Sequence, residues 1–111
     1  MKNLGTFIEV QLPADDIEAM LSFYGQLGYK LTSQQPWGAA QLTDNSGATL
    51  TFFLRKFWPE AALAFKSANL KALKSELAEQ NIQIEEDSVD LEPPRLSFRD
   101  PSGNLIYVYQ G

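Results

Sequence analysis

The chain has 111 residues, 44% hydrophobic and 21% charged, which fits a single domain, 1–111, and leaves no room for a second. It holds neither Cys nor His, so a disulfide framework, thiolate chemistry, Cys-ligated zinc and iron–sulfur clusters are excluded, and the commonest metal ligand and general base are missing. Nine basic against fourteen acidic residues give a net charge of -5, which disfavours a nucleic-acid phosphate backbone as partner and weakly attracts a cation.

The opening MKNLGTFIEV reaches Glu9 before any apolar run long enough for a signal peptide. No segment approaches the roughly 18 to 20 apolar residues of a membrane span, so a cytoplasmic protein without membrane contact is expected. Thr6 to Leu12 alternates, with Ile8, Val10 and Leu12 on one face and Phe7, Glu9 and Gln11 on the other, which predicts a strand. Asp15 with Glu18 forms a capping box, and Ile17, Met20, Leu21, Tyr24 and Leu27 make a helical stripe that Gly28 ends. Tyr29 to Thr32 reads as a strand, Pro36 breaks the chain, Trp37 to Thr43 resumes a strand, and Asn45-Ser46-Gly47 turns into Ala48 to Leu54.

The second half repeats this pattern. Leu63 to Ser67 is a strand; Asn69 caps a helix that turns Leu70, Leu73 and Leu77 inward, and Asn81 suits the left-handed position after it. Ile82 to Glu85, Arg95 to Arg99 and Asn104 to Tyr109 are the remaining strands. The acidic run Glu85-Glu86-Asp87, with Asp90 and Glu92 before Pro93-Pro94, reads as a solvated loop.

The repetition is a duplication. Asp16-Ile17-x-x-Met20 falls on Asn69-Leu70-x-x-Leu73 at an offset of 53, and Leu42-x-Asp44-x-Ser46-Gly47 falls on Phe98-x-Asp100-x-Ser102-Gly103 at 56. Each half therefore reads as a β-α-β-β-β unit, module one over 1–57 and module two over 60–111, in an α+β fold whose helices cover one face of each sheet.

Three features resemble the glyoxalase/bleomycin resistance/dioxygenase, or vicinal oxygen chelate, superfamily. They are Leu21-Ser22-Phe23-Tyr24 with Leu27-Gly28-Tyr29, the ending Phe98-Arg99-Asp100-Pro101-Ser102-Gly103-Asn104-Leu105-Ile106, and the duplication itself. The resemblance implies paired βαβββ modules around a cleft, a homodimer and, in the family's enzymes, a divalent metal held by His and Glu. Laid on this chain, those metal positions fall at Phe7, Ala62 and Tyr107, none of which carries a ligand side chain. No metal or other cofactor is therefore expected, and the likeness is to the metal-free bleomycin resistance branch.

The expected function is sequestration of a cationic or aromatic small molecule, associated in that branch with antibiotic resistance. The expected pocket holds Phe7, Glu9, Trp37, Phe53, Tyr107 and Tyr109, whose rings suit stacking and cation–π attraction. Glu9 either pairs with Arg55, Arg95 or Arg99 or faces a ligand, and the Tyr107 and Tyr109 hydroxyls either satisfy each other or a buried group, or contact a ligand. Phe52 and Phe53 point to opposite faces of their strand. Phe57 and Trp58, in the link between the halves, are candidate interface residues. Asp100 and Asn104 belong to a turn and bind backbone. The alternative reading is a metal-independent lyase or isomerase with Glu9 as base and Tyr107 as proton donor, and a third is a non-catalytic interaction module.

Overall fold

A computed structural model describes residues 4–111. Its elements run β1 (Thr6–Ala14), α1 (Ile17–Gln26), β2 (Lys30–Gln35), β3 (Ala39–Thr43), β4 (Thr49–Leu54), β5 (Ala62–Ser67), α2 (Leu70–Glu79), β6 (Ile84–Ser88), β7 (Arg95–Arg99) and β8 (Leu105–Gln110). This is an α+β chain of two βαβββ passes. Two units form, residues 9–61 and residues 62–111 with 4–8. The start of β1 clusters with the second half because Leu4 packs on that half's core and the Phe7 ring meets Phe65 edge-on at 5.4 Å.

In the unit of residues 9–61 the strands lie in the order β2-β3-β4-β1, antiparallel except for the parallel pair of β1 with β4. Ala14, Ile17, Ala40, Leu42 and Phe52 form the buried core, against which Leu12, Met20, Leu21 and Tyr24 pack. The helix is capped by Asp16, whose carboxylate accepts from the Ala19 N–H at 3.3 Å. Asp15 is not the cap, because β1 extends to Ala14 and the Asp15 carboxylate meets Arg55 at 2.8 Å. Leu27 also departs from the expected stripe: it follows the last helical turn and is 62% exposed.

Both helices stop the same way. Gly28 takes φ +99° and Asn81 φ +59°, and the following Tyr29 and Ile82 N–H groups donate back to Tyr24 and Leu77 carbonyls at 3.1 and 2.9 Å. This turn uses up the residues just after each helix. The strands β2 and β6 consequently begin one to two residues later than the alternation suggests.

In the other unit the order is β5-β8-β7-β6, with β5 parallel to β8. Leu70, Leu73 and Leu77 of α2 bury against Leu96, Phe98, Ile106 and Val108. The Asn69 cap forms as expected, accepting from the Ala72 N–H at 3.0 Å. Asp44 and Asp100 hold the matching turns: each accepts from backbone N–H groups two and four residues on, at 2.8–3.0 Å. Asp100 and Asn104 are thus turn residues.

The acidic run is where loop and structure part. Glu85, Glu86 and Asp87 lie in β6, and register shifts between Ile84 and Glu86. An equivalent shift separates Leu31 from Ser33 in β2. A bulge residue on one strand reverses the side-chain parity of everything after it. Ile84 pairs with Phe98 over the helix-covered core, but Glu86 pairs with Ser97 on the opposite face.

Candidate functional site

The face of β1 that carries Glu9 and Gln11 is the more buried of its two faces, 8% and 3% exposed, although both residues are polar. A buried carboxylate must recover its lost hydration through hydrogen bonds. Glu9 does so with three neutral donors: Gln41 Nε2 at 3.0 Å and Thr51 Oγ1 at 2.7 Å on Oε1, and Gln11 Nε2 at 3.0 Å on Oε2. Arginine plays no part. Arg55 pairs with Asp15, Arg95 with Glu86 and Arg99 with Glu85, so among the described residues no cation pairs with Glu9.

Three strands bring this cluster together. Gln41 on β3 stands opposite Thr51 on β4 in register, and β1 lies on the other side of β4. Glu9, Gln41 and Thr51 line a cavity of about 180 Å³ with Ala39, Trp37 and Phe53. The indole of Trp37 stacks on Phe53, centroids 6.0 Å apart at 24°. Behind it, Trp58 leans on Phe53 at 5.1 Å and Phe57 meets Trp37 edge-on at 5.7 Å. The cavity therefore has an anionic floor and an aromatic wall held by two further rings.

The expected site residues separate into groups. Glu9, Trp37 and Phe53 share the cavity, and Phe52 points the other way, wholly buried against Tyr24. Phe7 does not line it: it belongs to the other unit, within which its ring, 51% exposed, rests on Phe65. The offset of 53 that matches the helix caps also puts Glu9, and not Phe7, opposite Ala62. Phe57 and Trp58 support the aromatic wall; Phe57 remains 49% exposed.

Tyr107 and Tyr109 stack on each other in the second unit, centroids 5.9 Å apart at 20°. The Tyr107 hydroxyl donates to Glu86 Oε1 at 2.5 Å, while Ser88 Oγ and Arg95 Nε reach Oε2 at 2.8 and 3.0 Å. Burial pushes the Tyr107 phenol well above its ordinary value, and the Glu86 carboxylate pushes it further. Burial also pushes Glu86 up, but hydrogen bonds from Tyr107 and Ser88 and the charge of Arg95 outweigh it and hold the carboxyl below its usual range. A phenol so committed is a poor proton donor to a substrate.

Gln41 and Thr51 are site residues that alternation does not single out. The duplication does point to Thr51, which falls on Tyr107 at the offset of 56, and to Gln41, which falls on Ser97. Among the described residues, neither unit gathers the converging oxygens that a hard divalent cation needs. A hard cation takes about six or more converging oxygens, whereas the Glu9 oxygens face amide and hydroxyl donors, and among the described residues no group of three or more acidic side chains is placed to hold one.

A family model described as Glyoxalase/Bleomycin resistance protein/Dioxygenase superfamily matches residues 6–108. No curated protein matches the sequence. Among solved structures, the chain is similar to one described as an NAD-dependent benzaldehyde dehydrogenase from Legionella pneumophila: 14% identity, 91% of this chain and 96% of that one covered, TM-score 0.77. A glyoxalase/bleomycin resistance protein/dioxygenase superfamily member from Vibrio splendidus 12B01 matches at 19% identity over 93% of this chain and 97% of that one, TM-score 0.67. At such identities the likeness is one of fold.

Proposed function

As the chain belongs to the Glyoxalase/Bleomycin resistance protein/Dioxygenase superfamily, we propose that it binds a small organic cation without metal and without turnover, seating the charged end on Glu9. One observation carries this reading: a buried carboxylate solvated only by neutral donors, at the floor of a cavity with an aromatic wall. Three neutral hydrogen bonds relieve the desolvation of Glu9 but leave its charge uncancelled, so a cation of the right size recovers Coulomb energy that water supplies poorly there. The half-exposed Trp37 adds cation–π attraction, about 0.5 to 2 kcal/mol, and Phe53, stacked against it, adds apolar contact.

Size limits what enters. Pockets that enclose a drug-sized molecule measure about 300 to 1,000 Å³, and this cavity measures about 180 Å³. It takes a head group, with the rest of the ligand outside. The half-exposed Phe57 supports the pairing of two copies at that ring, and a Phe57→Ser chain that sediments like wild type overturns the pairing.

Calorimetry with tetramethylammonium, methylammonium, guanidinium and the neutral 3,3-dimethyl-1-butanol, with EDTA and then with Mn, Ni, Zn or Fe salts, tests the function. At least one cation should bind at fixed stoichiometry in EDTA, and more tightly than the neutral alcohol. Binding that requires metal, turnover of a bound compound, or equal affinity for cation and alcohol overturns the reading.

A further inference from the structure

We infer that the Glu9 cavity prefers a fully alkylated cation, a quaternary ammonium or its sulfonium equivalent, over ammonium or guanidinium groups that carry N–H donors. This rests on the cation-binding reading above and names its ligand class. A carboxylate offers about four acceptor sites. In Glu9 three are taken: Oε1 accepts from Gln41 and Thr51, and Oε2 accepts from Gln11. A guanidinium or primary ammonium owes its affinity for a carboxylate to several short hydrogen bonds, often two in parallel. Glu9 cannot offer a bidentate edge unless the Gln41 or Thr51 bond is first broken, and the buried Thr51 hydroxyl, if released, would lose its carboxylate acceptor.

An alkylated cation avoids that cost. It carries charge and no N–H, so it needs the field of the carboxylate and not its lone pairs. The rest of the lining suits its methyl groups: Ala39, 6% exposed, on the floor and the stacked rings of Trp37 and Phe53 on the wall. Aromatic faces beside a carboxylate are the usual recognition device for quaternary ammonium ions. The volume is of the right order for a small head group, since about 180 Å³ falls below the ~300 Å³ at which pockets begin to enclose a drug-sized molecule.

Calorimetry on the whole chain ranks the cations of that panel. Tetramethylammonium should bind at least ~10-fold more tightly than methylammonium or guanidinium, the range a desolvated cation–π contact supplies. The Gln41→Leu variant frees one Glu9 lone pair and should narrow that ratio by strengthening methylammonium and guanidinium but not tetramethylammonium. Methylammonium or guanidinium binding as tightly as tetramethylammonium overturns the class while leaving cation binding intact. Failure of every cation to exceed 3,3-dimethyl-1-butanol overturns both.

Discussion

Tyr107 and Glu86 share a hydrogen bond of 2.5 Å between β8 and β6, two strands that are not neighbours. The bond spans Ser97 on β7, which is paired with both residues, and it ties the edge strand β6 to the sheet. Its pH dependence follows from the two shifts. Glu86 is held below its usual range, so its contribution is present at neutral pH and is lost as pH falls through the lowered folded-state value. Tyr107 is held above its usual value near 10, so its contribution is complete below that pH and is lost as alkali is added. Tyr107→Phe should cost about 1 to 2 kcal/mol at neutral pH and flatten both limbs of the urea midpoint plotted against pH. In an ultraviolet titration, one of the four tyrosines should ionise after the others, and Glu86→Gln should bring it only part of the way back, because burial still raises it. Four tyrosines ionising together remove the assignment.

Two adjacent aspartates at the start of α1 make a sharper test of local structure. Asp16 accepts from the Ala19 N–H as the cap, while Asp15 makes an exposed pair with Arg55. Asp16→Ala should therefore cost about 1 kcal/mol. Asp15→Ala should leave stability almost unchanged, as solvent screens that pair. Urea denaturation of the two variants reads the difference, and the reverse order would move the cap back to Asp15.

What is legible in this sequence is local. Helix caps, the glycine and asparagine stops, and the Asp-x-Ser-Gly turns each depend on residues within four positions of one another, so Asn69, Gly28, Asn81, Asp44 and Asp100 all disclose themselves. The duplication supplies the order of elements because offsets of 53 and 56 survive from helix to strand. Glu86 is hidden by the bulge. Counting by two from Ile84 sets it on the core face, and only the register shift at residue 85, visible in the pairing with β7, reverses it. The Glu9 cavity is half legible: parity joins Glu9 to Gln11, but the Gln41 and Thr51 bonds come from pairing across strands, which no single segment encodes. Phe7 shares that parity yet leaves the cavity, because the start of β1 packs with Phe65.

Gly38 places Trp37. Its φ of +119° is a conformation that side-chain-bearing residues rarely adopt, and a Cβ there would come within 2.4 Å of Leu54 Cδ1. The Gly38 carbonyl accepts from the Leu54 N–H at 2.9 Å, which sets the start of β3 against the end of β4. Gly38→Ala should destabilise the chain by about 1 to 3 kcal/mol. It should also weaken the panel cations by disturbing the Trp37–Phe53 stack, which tryptophan fluorescence reports. Unchanged stability and emission would show that the turn has room to relax.

Glu9→Gln separates binding from folding. The amide keeps the shape of the side chain and an acceptor oxygen for Gln41 and Thr51, and it removes a buried charge that no described cation offsets. A carboxylate kept for structure would cost stability when neutralised, since its hydrogen bonds are stronger as an anion. One kept for a ligand gives the opposite result, because the unbound chain carries the desolvation penalty and only the complex recovers it. Thermal melting of Glu9→Gln should therefore be unchanged or higher than wild type. Its affinity for tetramethylammonium should fall about tenfold or more, while that for 3,3-dimethyl-1-butanol holds. Equal losses for the cation and the neutral alcohol, or a lower melting temperature with affinity retained, would return Glu9 to a structural role.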